Sequence, residues 1–92
     1  YLVERNITAN DIRARILIIP QIIRNSINET DSAINVEING KFKKLNLDKS
    51  HRYIGGVTQI YKDCGLINDD NSFVQKKSKW NIKNDKLIIV IE

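Results

Sequence analysis

The sequence predicts a mainly β domain: a small, open, strongly curved barrel of six or seven short strands with two short helices. Three observations lead there. Isoleucine dominates the apolar residues, and β-branched side chains suit a pleated, half-buried surface. Asn39-Gly40 sits between two runs of strand length, the strongest short hairpin signal, because both turn positions favour positive φ. Two further apolar runs, Ile16–Ile19 and Leu87–Ile91, also have strand length.

The elements follow in order. Tyr1 to Ile7 reads as a first strand. Thr8 and Asp11 form a capping signature, which predicts a short helical turn. Ile16 to Ile19 is the next strand. Pro20 stops it and suits the first position of a helix, whose inner side would hold Ile22, Ile23 and Ile27. Asn28 to Ser32 is a polar loop. Ala33 to Leu47 is a hairpin in which Ile38 faces Lys41 and Ile34 faces Leu45. Phe42 then points away from Leu45, which requires either a bulge or cover on both faces. Asp48 to Tyr53 is a polar, basic loop closed by Gly55-Gly56. Val57, Ile60, Tyr61 and Cys64 repeat at helical spacing, with Gly65 as a left-handed terminator. Asn68 to Ser72 is a turn, and Phe73 to Gln75 a short strand. Trp80 and Ile82 alternate, Asn84-Asp85 turns, and Leu87 to Ile91 is apolar on both faces, as in a strand interior to a sheet. Trp80, Phe42, Phe73 and Tyr61 read as core residues.

Ninety-two residues make one small domain, burying about 60–65% of its unfolded surface. The net charge is +4, and its distribution is segmental. Residues 1–24 carry +2, 25–40 carry −3, 41–52 carry +4, 53–75 carry −2 and 76–92 carry +3. Such blocks suit a basic face turned toward a polyanion. A single cysteine, Cys64, excludes an internal disulfide and fits a reducing, cytoplasmic compartment. No segment resembles a signal peptide or is long enough to span a bilayer, so no membrane partner is expected. The chain opens on Tyr1 and closes inside a strand-like run, which predicts a domain excised from a larger protein.

Four of the five arginines lie in the first 24 residues, and no lysine precedes Lys41. Arg13 and Arg15 stand in a connection between elements, where recognition residues concentrate, and arginine is the side chain best shaped to read guanine. Asn10 beside them can pair with adenine or cap the turn. Gln21 and Arg24, at the start of a helix, are placed to reach phosphates. In the second basic block, Asn46, Lys49, Ser50, His51, Arg52 and Tyr53 supply donors, acceptors and an aromatic edge. Lys41, Lys43 and Lys44 suit phosphate contact by counterion release, or protection of an exposed strand edge.

Ile7-Thr8-Ala9-Asn10-Asp11-Ile12, followed by Arg15-Ile16-Leu17-Ile18-Ile19-Pro20-Gln21, resembles the opening of the B3 DNA-binding pseudobarrel, with its Leu-Thr-x-x-Asp-Val and Arg-Leu-x-Ile-Pro-Lys. Residues 56–73 resemble the second half of that family, where Leu66, Asp69 and Phe73 fit a Leu-x-x-Gly-Asp tail and a following strand. The resemblance covers about four-fifths of the chain in the right order. Gln21 replaces a lysine, Val57 a tryptophan and Asn68 a glycine. These departures bring the chain closer to the recognition domains of bacterial restriction endonucleases of the EcoRII and BfiI kind. The resemblance implies a B3-like fold and sequence-specific binding of double-stranded DNA. Two arms, Ala9 to Arg15 and Asn46 to Tyr53, would enter the major groove, with cleavage carried by a catalytic domain or subunit of the parent protein.

Catalytic chemistry is thin in the chain itself. It has no Glu-x-Lys or Asp-x-Lys pair of the common metal nucleases. One histidine cannot form a two-histidine phosphodiesterase site, and one cysteine with one histidine cannot build a zinc site. Asp69-Asp70 is better explained by turn chemistry, and no Gly-rich phosphate loop is present. No cofactor is expected, and the domain is not read as an enzyme. Two other readings stay open: a protein-interaction or structural module, and an RNA-binding or small nuclease subunit.

Overall fold

The computed structural model describes residues 2–28, 30–84 and 86–92. Tyr1 of the predicted first strand, Glu29 of the polar loop and Asp85 of the Asn84-Asp85 turn lie outside the described residues. The elements are β1 (Val3–Ile7), α1 (Ala9–Ala14), β2 (Leu17–Ile18), α2 (Gln21–Arg24), β3 (Ala33–Ile38), β4 (Lys41–Asn46), β5 (Tyr53–Ile54), α3 (Thr58–Asp63), β6 (Lys76–Lys83) and β7 (Lys86–Ile91). The domain is mainly β, as the sequence predicts, with three short helices in place of two. The capping signature at Thr8 produces a helix of six residues and not a bare turn.

Five strands form a mixed sheet in the order β1-β6-β7-β3-β4, and β2 pairs with β5. A bridge between Leu47 and Ile54 joins the end of β4 to β5, so the strands run on continuously to β2. Among the described residues no ladder joins β1 to β2, and the arrangement stays open there. α1 makes the connection from one edge to the other.

The central hairpin has the register that Asn39-Gly40 predicts: Ile38 faces Lys41, Val36 faces Lys43 and Ile34 faces Leu45. Asn39 (φ 48) and Gly40 (φ 83) both take left-handed backbone, the requirement of the tight mirror-image turn. The ladder is regular, so Phe42 lies on the outer face of the sheet, 68% exposed. It is not a core residue. The Lys86 ammonium sits 4.2 Å from the centre of its ring, an arrangement worth about 0.5–1 kcal/mol at an exposed site.

Val36 and Ile38 of β3, Leu87, Ile89 and Ile91 of β7, Trp80 of β6 and Ile7 of β1 form the inner layer. Ile12, Ile23, Ile54, Val57, Tyr61 and Leu66 are buried in the same core. β7 is flanked by β6 and β3, which explains its apolar run. Trp80 is fully buried, and its indole N–H donates to Ser78 Oγ at 2.8 Å. The Ser78 hydroxyl in turn donates to the Arg5 carbonyl at 2.8 Å. This short relay satisfies the one polar group of a large apolar side chain.

α3 is the helix read from its apolar stripe. It ends in a Schellman motif: Gly65 takes φ 81, its N–H bonds the Lys62 carbonyl (3.2 Å), and the Leu66 N–H bonds the Tyr61 carbonyl (2.8 Å). Two predicted elements differ in extent. Ile22 is 51% exposed, because α2 lasts only four residues and turns only Ile23 fully inward. Phe73 to Gln75 contributes a single bridge, Phe73 to Ile67, and the strand proper starts at Lys76.

Ser78→Ala should leave the buried Trp80 N–H unpaired, and lower stability by about 1–3 kcal/mol. Urea unfolding followed by tryptophan fluorescence measures this; a loss under about 0.5 kcal/mol would refute the relay's role. Asn39→Gly keeps the turn free of strain but removes the side-chain amide that accepts from the Ile91 N–H and donates to the Ile91 carbonyl. It should cost about 1–2 kcal/mol in the same assay.

Candidate nucleic-acid interface

The first arm is α1 with its flanks. Thr8 caps the helix: the Asp11 N–H donates to Thr8 Oγ1 at 3.3 Å, and the Thr8 N–H donates to Asp11 Oδ2 at 3.0 Å. This reciprocal box leaves Asn10 out of the capping role. Asn10 is exposed and accepts a hydrogen bond from Arg13 Nη1 at 3.1 Å. The two form an outward pair of amide and guanidinium.

Arg15 is used differently. It ends α1 with left-handed backbone, φ 57. Its Nη1 donates to the Ile12 carbonyl at 2.7 Å, which also accepts the Arg15 backbone N–H at 3.1 Å. Its guanidinium also lies 5.5 Å from the Phe73 ring centre. Arg15 therefore ties the first arm to the segment before β6.

The second arm, between β4 and β5, is built around Asp48. The Asp48 carboxylate accepts the Ser50 N–H at 2.9 Å and the Ser50 hydroxyl. Its carbonyl accepts the His51 N–H at 2.9 Å, and its own N–H donates to the Tyr53 carbonyl at 3.1 Å. The Ser50 hydroxyl and N–H, with the Tyr53 side chain, hold the Asp48 carboxyl below the usual aspartate range. Tyr53 is pushed up in turn, first by its hydrogen bond to Asp48. His51 takes φ 57, and its Nε2 lies 2.7 Å from the Asp31 carbonyl. A carbonyl only accepts, so Nε2 carries the hydrogen there.

Ser50, His51 and Tyr53 thus build the loop. Among the described residues, the side chains of Asn46, Lys49 and Arg52 make no hydrogen bond or ion pair, and all three are exposed. The Arg52 backbone is nevertheless pinned, because its carbonyl accepts the Ile19 N–H at 2.9 Å.

The two arms share one short ribbon. Leu17 pairs with Ile54 and Ile18 with Tyr53, antiparallel. The first arm enters the ribbon at Leu17, and the second enters at Tyr53. Arg13 therefore precedes one end of the ladder and Arg52 the other.

α2 begins at the Arg52 end, directly after Ile19-Pro20. Its surface is internally bonded: Arg24 Nη1 donates to Gln21 Oε1 at 2.9 Å, and Gln21 Nε2 donates to Asn25 Oδ1 at 3.0 Å. Four residues carry too small a summed dipole to attract an anion, so Gln21 and Arg24 would act through side-chain donors alone.

The hairpin lysines do not form one patch. The pleat sends Lys41 and Lys43 to the inner side of the sheet, with Ile38 and Val36, and Lys44 to the outer side. Only Lys44 shares a side of the strand with Asn46, where the second arm starts. Asp69-Asp70 is turn chemistry: the Asp70 carboxylate accepts the Ser72 N–H at 3.0 Å and the Ser72 hydroxyl at 2.6 Å.

Sequence alone does not disclose Phe73 as the seat of Arg15, nor Asp31 as the anchor of His51, because both contacts join distant segments. Asp48 was readable, since an aspartate two positions before a serine is a local turn signal. No helix among the described residues is long and apolar enough to cross a membrane. No family model, curated protein or solved structure matches the chain.

The depressed Asp48 carboxyl has a pH consequence. A carboxylate whose folded pKa lies below its unfolded one supports the loop above the unfolded value and loses that support as pH falls through the folded one. The second arm should therefore loosen below about pH 4. Amide exchange at Ser50 and His51 should rise there ahead of exchange in β7, and simultaneous loss at all sites would contradict this.

Proposed function

We propose that this domain binds double-stranded DNA in a sequence-dependent manner, as the target-recognition domain of a restriction endonuclease whose catalytic domain lies elsewhere. The observation that supports this reading is the shared β2–β5 ribbon, with an exposed arginine beyond each end. The ribbon is two residues long, one strand step of about 3.4 Å, and the major groove is about 12 Å wide. Two arms springing from opposite ends of so short a ribbon suit a grip on one groove. Arg13 with Asn10, and Arg52, are the base-reading candidates. Lys49, Lys44 and Asn46 are the backbone contacts that set register. Arg15, Ser50, His51 and Tyr53 position the arms, and such pinned support is what a recognition surface requires.

The domain on this reading binds and does not cut. Selection of bound duplexes from a random pool, at two salt concentrations, supplies a cognate sequence. Arg13→Ala and Arg52→Ala should each lose about 1–3 kcal/mol of discrimination at one base position. Lys49→Ala should weaken all duplexes alike and reduce the salt slope by about 1. Absence of duplex binding at moderate salt would overturn the reading. Equal losses on cognate and random DNA would remove the base-reading role of the arginines.

A further inference from the structure

We propose that the free edge of β4 is a docking site for an extended acidic segment of a partner protein, which would add to the sheet as a further strand. This edge adjoins the second arm at Lys44 and Asn46, while Lys41, Phe42 and Lys43 lie outside the proposed DNA contacts. β4 ends the five-stranded sheet, and its outer neighbour β5 reaches only its last residues. The Gly55 N–H takes the Asn46 carbonyl at 3.1 Å, and Leu47 bridges to Ile54.

The hairpin register decides which groups the rest of the edge presents. In a two-residue hairpin the flanking pair, here Ile38 and Lys41, exchanges both backbone hydrogen bonds, and every second residue repeats this. Lys41, Lys43 and Leu45 therefore bond toward β3. The N–H and C=O groups of Phe42 and Lys44 face away from it, as does the Asn46 carbonyl that Gly55 occupies. Among the described residues nothing pairs with the backbone of Phe42 or Lys44. These are the groups a docking strand completes.

Charge selects the occupant. Among the described residues, Lys41, Lys43 and Lys44 are exposed and none is in an ion pair. Lysines on an edge ordinarily discourage pairing, and they do so by sign. A second copy of β4 laid along this edge would set lysine against lysine, which is destabilising. A strand carrying glutamates or aspartates at alternate positions meets the opposite charge. Beside the edge, a cleft of about 190 Å³ runs between β4 and α3, lined by Ile38, Asn39, Lys41, Lys43, Ile60, Asp63 and Cys64; the Asp63 carboxylate accepts from Gln59, and the two lysines outweigh its charge. Its apolar floor receives an aliphatic side chain, and its lysine rim receives carboxylates. A nucleic acid offers the charge but no peptide groups to continue the ladder.

The test uses the full chain and a ten-residue peptide alternating glutamate and valine, followed by amide NMR. Saturable binding is expected, with hydrogen-exchange protection of the Phe42 and Lys44 amides rising at least tenfold. A peptide N-methylated at alternate amides should lose that protection. Lys41→Glu combined with Lys43→Glu, both surface changes, should weaken binding at least tenfold. No saturation up to about 1 mM peptide, or equal binding of the methylated peptide, would overturn the proposal. So would equal protection by a single-stranded oligonucleotide of the same charge, or protection of these amides by self-association without peptide.

Discussion

The parallel pairing of β3 with β7 is the contact on which the rest of this structure depends. Val36, Glu37 and Ile38 lie beside Leu87, Ile88 and Ile89. β4, and through it the second arm, hangs from β3. β6 and β1, and through them the first arm, hang from β7. This seam therefore joins the two halves of the sheet that lead to the arms, which meet again at the β2–β5 ribbon. Such a pairing carries a loop-closure cost because its partners are distant in sequence. Asn39 reinforces it at the point where β3 ends. Its side-chain amide imitates a strand residue: Oδ1 accepts the Ile91 N–H at 2.8 Å, and Nδ2 donates to the Ile91 carbonyl at 3.1 Å, across 52 positions of sequence. The asparagine that makes the hairpin turn thus also extends the parallel ladder.

Packing around the seam is conventional in chemistry and economical in polar groups. Burying a tryptophan removes about 150–250 Å² from water, worth about 4–6 kcal/mol at ~25 cal/mol/Å². That gain stands only if the indole N–H is paired, and Ser78 supplies the partner. Tyr61 repeats the solution on the other side of the core. Its ring is buried, its hydroxyl donates to the Ile16 carbonyl, and burial pushes its ionisation well above the usual range, with the Asp11 charge a smaller cause. The Tyr61 bond also ties α3 to the residue entering β2, so the base of the first arm is fixed from both sides.

Within the arms, the polar residues divide by role. Thr8, Asp11, Arg15, Asp48, Ser50 and His51 spend their hydrogen bonds on the local backbone or on neighbouring segments. Arg13, Lys49 and Arg52 keep their donors outward. The division follows from geometry. A loop without a regular ladder must satisfy its backbone groups with side chains, and short aspartate, serine and threonine side chains reach those groups best. Long cationic side chains reach past them into solvent. A surface built this way combines a pinned backbone with outward charged ends.

Much of this was legible in the chain. Asn39-Gly40 determined the hairpin and its register, since few residue pairs accept two positive φ values. The stripe from Val57 to Cys64 with Gly65 behind it determined α3 and its end. Thr8 with Asp11 determined where α1 begins, and the composition determined a mainly β domain. These are local signals, carried by steric and hydrogen-bonding preferences within a few residues. Tertiary structure alone decided which face of the hairpin is covered, so that Phe42 faces solvent, and that Arg15 seats on Phe73 while Arg13 pairs outward with Asn10. It also decided that the two arms meet on one ribbon. Each of those outcomes depends on which distant strand lies alongside, and no local preference encodes a neighbour that the chain reaches only after folding.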